Sequence, residues 1–327
     1  MRKVVMIALG SILLFCSGSC SVIDEDSCKV NHLLYRYMNN VGQESTSLYL
    51  NEVTDFIFRK DSVLYRVDEH ITNGKIARRP INLPDGDWII YSYANLNGGS
   101  RLSTYAVGKT RLSEMSVRVI TSPTYSGTYA PDEEGKPTLR LGNADRLYFG
   151  KVALSVRGGY TGYTSVIEMS NIHIRLNATV RFLQPIDLQN NIKDNLHVRL
   201  EYVPVEFGFK SIDKMDHTYQ IAYSTPLITP ERASYSTKLD ATPVANEYNF
   251  QMYGLRWETG GAPILKFYNG ETLLINKELP LNKYFNEQRI DLTHTRVQFY
   301  NLLIEVDGEH VYISDTSIAD WEDGGNW

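Results

Sequence analysis

The chain has 327 residues, 43% hydrophobic and 22% charged, the composition of a globular protein of about two domains and not of a disordered or fibrous chain. Lys and Arg number 33 against 38 Asp and Glu, a net charge of −5, so the cationic surplus that nucleic-acid binding draws on is missing. One extended apolar run exists, at the extreme N-terminus, which excludes most membrane-spanning designs.

Arg2 and Lys3 precede an apolar run of 12 residues, Val4 to Phe15. A spanning helix needs about 20, so the run reads as the core of a signal peptide. Ser17-Gly18-Ser19-Cys20 follows and resembles a bacterial lipobox, with Ser17 where the commonest version has Leu. Phe15 makes Cys16 the poorer acceptor, because the position before the cysteine wants a small side chain. Residues 1–19 are therefore expected to be removed, with lipid on Cys20; the plain alternative is a secretory signal with a chance cysteine. Cys28 then has no intramolecular partner, so a disulfide is not expected. Two or more acyl chains give the stable membrane anchoring that one does not. Residues 20–27 form an acidic tether containing Asp24-Glu25-Asp26, either a sorting signal for the outer face of the outer membrane or a solvated spacer.

Beyond the tether the chain is punctuated like an all-β protein. Tyrosine is abundant, 22 against 11 Phe and 4 Trp, a bias that suits pleated surfaces. Strands are expected at 28–37, 53–59, 63–68, 87–94, 146–156, 171–183, 196–205, 216–223, 248–256 and 263–268, with a short helix at 281–287. Asn73-Gly74, Asp85-Gly86, Asn97-Gly98, Asn269-Gly270 and Asp307-Gly308 each offer the left-handed pair of a tight hairpin turn. The last joins Leu302–Val306 to Glu309–Ile313, with Ile304, Val306, Val311 and Ile313 directed at one core. Residues 122–143 and 224–246, rich in Pro, Gly and Ser, read as long loops. Glycines at 158, 159 and 162 suggest a boundary between two β-sandwiches, residues 28–162 and 163–327. No repeat of fixed period is present.

The chemistry-bearing motifs are weak. Gly108-Lys109-Thr110 lacks the first glycine of a phosphate loop, which falls on Ser103. Ser211-Ile212-Asp213-Lys214 matches a Ser-x-x-Lys pattern without its companion motifs. The 7 histidines show no metal-ligand spacing and no Cys pair is available, so neither a metal nor another cofactor is expected. Carboxylates are plentiful, yet nothing singles out an acid pair for glycoside hydrolysis. The expectation is a protein without enzymatic activity. Aromatic residues could build a sugar-stacking platform, but in β-rich chains they serve more often as core or cross-strand partners. Trp321 and Trp327 stand out for lying in the acidic terminal stretch.

The order lipobox, acidic tether, Asp26-Ser27-Cys28-Lys29-Val30 opening a strand to Tyr35-Arg36-Tyr37, then Asn51-Glu52-Val53-Thr54-Asp55-Phe56-Ile57-Phe58, is distinctive. Trp88-Ile89-Ile90-Tyr91-Ser92-Tyr93, Asp145-Arg146-Leu147-Tyr148-Phe149-Gly150 and Ile172-His173-Ile174-Arg175-Leu176 continue it. Together these segments resemble the FimB-like fimbrillin lipoproteins of Bacteroidales, the minor subunits that anchor type V pili. The resemblance implies two transthyretin-like β-sandwich domains in tandem and a lipid-anchored place on the outer membrane. In shaft subunits of such pili a trypsin-like protease removes the first strand, and a neighbour's strand fills the groove. An anchor keeps its own. Met38 through Phe58 contains no Lys or Arg, so such a protease finds no site in that connection. The free end for a shaft subunit is then C-terminal, with Val311, Ile313, Ile318 and Trp321 as the expected contacts in strand addition. Alternatives are a surface glycan-binding lipoprotein and a tip adhesin of the same pilus family.

Overall fold

The structure, a computed structural model, describes residues 30–315 apart from 40–41, 61, 72–77, 121–129, 132–136, 159–161, 185–195, 210–231, 258–262, 271, 276–277, 291, 293–297 and 309. The predicted strand at 216–223 lies outside the described residues.

The chain opens with β1 (Asn31–Tyr37), a helical turn at Thr46–Tyr49, β2 (Glu52–Arg59), β3 (Leu64–Ile71), β4 (Arg79–Ile81), β5 (Gly86–Ala94), β6 (Ser100–Leu102) and β7 (Ser116–Val119). Next come β8 (Ala130–Pro131), β9 (Pro137–Leu141), β10 (Tyr148–Val156), β11 (Thr164–Asn171), β12 (His173–Phe182), β13 (Leu196–Glu201) and β14 (Glu206–Gly208). The remainder is β15 (Arg232–Lys238), β16 (Asp240–Ala241), β17 (Glu247–Leu255), β18 (Ile264–Asn269), β19 (Thr272–Leu273), β20 (Leu279–Pro280), a helix at Leu281–Glu287, β21 (Gln298–Asp307) and β22 (His310–Asp315). The all-β expectation and the short helix expected at 281–287 are both met.

Four sheets result. The first has the order β3-β2-β5-β10-β11-β1-β4, antiparallel except for the parallel pair β1/β11. A five-stranded sheet, β16-β17-β12-β21-β22, carries a parallel pair β12/β21. A third runs β19-β18-β13-β15-β9-β8, and a small sheet, β14-β7-β6, joins segments from distant parts of the chain. The sheets pack as sandwich-like domains.

Alternation explains the faces. In β12, His-Ile-Arg-Leu-Asn-Ala-Thr-Val-Arg-Phe, every second side chain from Ile174 to Phe182 is buried and those between are partly exposed, as a half-buried strand requires. β2 differs, because it is buried on both faces. Val53 and Ile57 face a smaller core with Leu33, Tyr37, Trp88, Ile90, Ile167 and Met169. Phe56 and Phe58 face the larger core, where Phe209 packs 5.4 Å from Phe56 and 4.7 Å from Tyr93. Burying one such ring contributes about 1.5–3 kcal/mol, and the same aromatic cluster ties the first sheet to the rest of the molecule.

The first sheet folds back on itself at Gly150. An added Cβ there would lie 2.5 Å from Ile167 Cγ2 and 2.8 Å from the Glu168 carbonyl, so only glycine lets β10 and β11 face each other so closely. β10 and β11 pair only at Tyr148/Asn171 and Phe149/Ser170 before separating into opposite layers.

Two expectations need correction. The loops expected at 122–143 and 224–246 contain β9 and β15, which pair in parallel from Arg232/Thr138 to Tyr235/Leu141. Pro and Ser mark these segments as breakers, but tertiary pairing with β13 overrides the local preference. Among the glycine turns, Asn269-Gly270 and Asp307-Gly308 close hairpins, with φ of +59° and +58° at the glycines. Asp85-Gly86 and Asn97-Gly98 do not: Gly86 pairs with Val156 at the start of β5. The turn at 97–100 is instead held by the Asp145 carboxylate, which accepts from the backbone N–H groups of Asn97, Gly99 and Ser100 at 2.8–3.0 Å. Asn73-Gly74 lies outside the described residues. The described residues flanking the glycine run at 157–162 belong to β10 and β11 of one sheet, and the chain passes to the next sheet at Ile172. Gly158 and Gly162, with φ of +66° and +72°, lie in the connection between β10 and β11.

Candidate functional site: the first and last described strands

β1 is an interior strand. It pairs in parallel with β11 from His32/Thr164 to Tyr37/Met169 and antiparallel with β4 from Asn31/Ile81 to Leu33/Arg79. Leu33, Tyr35 and Tyr37 form its inward row and are buried, while Arg36 points outward and donates from Nε to Glu168 Oε1 at 2.8 Å. The Tyr37 ring lies 4.8 Å from Tyr148 and 5.4 Å from Tyr49, both edge-on, and its backbone N–H donates to Thr46 Oγ1 at 2.8 Å. The apolar ends of the row thus secure the strand by packing.

The middle of the row is polar. Tyr35 donates its hydroxyl to Asp55 Oδ2 at 2.5 Å. Asp55 is fully buried on the inward face of β2, between Val53 and Ile57. Ser92 on β5 donates to Asp55 Oδ1 at 2.5 Å, and the Arg79 guanidinium on β4 donates to Oδ2. Arg79 also donates to Asp68 on β3 at 2.7 Å, and Arg66 donates to the same carboxylate at 3.0 Å. Five strands therefore meet around one buried charge, and the contact of Arg79 with Asp68 closes the two outer strands of the sheet onto each other.

Burial pushes the Asp55 carboxyl above its usual range, against the hydrogen bonds from Ser92 and Tyr35 and the charge of Arg79. Burial and then the Asp55 charge raise the Tyr35 phenol, so it remains a donor at every physiological pH. His70, next to this cluster on β3, is pushed down to about 4, first by burial and then by the Arg79 charge. Such a carboxylate is costly to bury alone, so its donors are a structural requirement.

β22 is the opposite case. It forms a hairpin with β21, pairing Val306/Val311, Glu305/Tyr312 and Ile304/Ile313, and it ends its sheet. Val311 and Ile313 pack half-buried against the larger core, while Tyr312 between them is 58% exposed. Its outer edge has no strand partner among the described residues. Of the residues expected to meet a shaft subunit, Val311 and Ile313 share one face here; Ile318 and Trp321 lie outside the described residues, as do Cys20 and Cys28.

The Asp55 cluster was not singled out from the sequence, although a carboxylate inside Val53-Thr54-Asp55-Phe56-Ile57-Phe58 is the signal that points to it. Most described aromatics are core: Trp88, Trp257, Tyr91, Tyr93, Tyr148 and Tyr235 are buried. The exposed tyrosines, Tyr163, Tyr202 and Tyr312, sit on separate elements. Among the described residues no group of three or more His, Cys, Asp or Glu could hold a metal ion, and no helix is long and apolar enough to cross a membrane.

Residues 24–323 match the family of fimbrillin-A associated anchor proteins Mfa1 and Mfa2. The chain belongs to that family. Its structure is similar to the fimbrial anchor protein Mfa2 from Porphyromonas gingivalis, with a TM-score of 0.54 and 11% identity over 84% of this chain and 90% of that one. A candidate adhesin from Bacteroides thetaiotaomicron gives 0.61 at 11% identity, over 88% and 96%. A candidate polysaccharide-binding protein from the same organism gives 0.60 at 10% identity, over 88% and 98%. At such identities these likenesses speak for the fold. No curated protein matches the chain by sequence. Family membership places the protein among fimbria-associated, envelope-located proteins, a class that is in general non-enzymatic.

Proposed function

We propose that this protein is the base subunit of a fimbria: a lipoprotein held in the outer membrane through Cys20 that keeps its own first strand and meets the first shaft subunit at its C-terminal end. Family membership over residues 24–323 carries the reading. The seating of β1 supports it. Arg36 is tied to Glu168 within paired strands, and residues 38–58 offer no Lys or Arg to a trypsin-like protease. The contact surface is β22, whose outer edge has no strand partner among the described residues: Val311 and Ile313 brace the strand from within, and Ile318 and Trp321 extend the contact. Strand addition supplies main-chain hydrogen bonds along such an edge, with side-chain pockets setting specificity. The burial of the described aromatics favours this reading over a glycan-stacking surface.

The test is to delete the gene and compare shaft protein in washed cells with that in the medium. Pili shed into the medium at unchanged total shaft are expected; pili retained on the cells would contradict the base role and favour a tip position. Replacing Cys20 with Ala is expected to release the protein from membranes, and membrane association unchanged after salt washing would contradict lipidation.

A further inference from the structure

The structure assigns to Tyr35 and Asp55 the selection of the strand that fills the groove between β11 and β4: only a strand presenting a phenol at the middle of its inward row is accepted there. This rests on the reading that the protein keeps its own first strand, and it names the residues responsible. The groove is apolar at both ends, around Leu33 and Tyr37, and such ends admit many hydrophobic strands. Its centre is the buried Asp55 carboxylate, whose three donors come from three strands: Tyr35 on β1, Ser92 on β5 and Arg79 on β4.

β4 has β1 as its strand partner among the described residues, so the departure of β1 removes one donor and loosens the element carrying a second. An incoming strand restores the β4 pairing by main-chain bonds alone, whatever its sequence. It does not restore the hydroxyl. A Leu, Val or Phe at the central position leaves a buried charge one donor short, a loss that main-chain pairing does not offset. The register is strict as well, since a slip of one residue turns Tyr35 to the outer face and brings Arg36 inward. The groove is therefore closed to a generic apolar strand from another subunit, as the end of a polymer requires.

The experiment uses the full chain with a sequence-specific protease site inserted after Gly42, in the exposed 42–44 turn, so that cutting leaves β1 held without a covalent link. Fluorescent peptides of residues 30–39, with Tyr or Phe at position 35, then compete for the groove of an otherwise unchanged body. The expected result is about 10- to 100-fold tighter occupancy by the Tyr peptide, the range for losing a hydrogen bond to a buried charge. Where the resident strand does not leave the cut chain, the same pair is offered to the cut Y35F chain, in which the Tyr peptide alone is expected to enter. Equal occupancy by the two peptides, or entry by neither, would overturn the assignment. Either failure leaves the base-subunit reading intact, because that is read from the partition of pili between cells and medium.

Discussion

The first and last described strands are secured by different physics. β1 lies between two partners and carries a hydroxyl to a buried carboxylate, while β22 has an apolar inner row and, among the described residues, one strand partner and an open edge. Hydrophobic packing alone is non-directional and tolerates exchange of one apolar strand for another. A buried charge is directional, and it penalises any strand that lacks the right donor. β1 is thus tied to its own chain by a specific donor as well as by packing, and β22 by strand pairing and apolar packing.

The contrast can be broken from the β1 side. Replacing Gly150 with Ala forces β11 away from β10 and is expected to cost about 3 kcal/mol, seen as a lower urea midpoint at constant slope. Tyr35→Phe is expected to cost about 2 kcal/mol by the same measurement, since it strips a donor from a buried charge. Acid acts at the passage between sheets. His173 is fully buried, donates from Nδ1 to the Leu147 carbonyl at 2.9 Å, and burial lowers its pKa to about 3. The unfolded chain takes up this proton near 6.5 and the folded one near 3, so the His173 contribution is complete above about pH 6.5 and is lost as pH falls towards 3. The slope is about 1.4 kcal/mol per pH unit, and His173→Gln should remove it from the pH dependence of the urea midpoint. At the other end, Gly308→Ala meets no atom within 4 Å and is expected to cost only about 1 kcal/mol, the strain of φ +58° on an L residue. Tyr312→Phe on the open strand should change stability by less than about 0.5 kcal/mol.

The hairpin at 302–313 was legible because its register is local: alternation and one Asp-Gly pair fix which residues face the core. The all-β class followed from the same signals along the chain. β9 and β15 were not legible, since their pairing joins Thr138 to Arg232 and no local pattern announces a partner so far away. The Asp55 cluster fails for the same reason: its donors stand 20, 24 and 37 residues distant, and the carboxylate acquires meaning only when the sheet curls. Membership of the anchor family, by contrast, was readable from the order of strand-like segments, with no single residue deciding it.

The most direct test of the account is the intact mass of the mature chain recovered from the outer membrane of fimbriated cells. A single polypeptide beginning at acylated Cys20, with Tyr35 still part of it, is predicted. A chain that begins after Arg36, with β1 absent or held as a separate fragment, would contradict it.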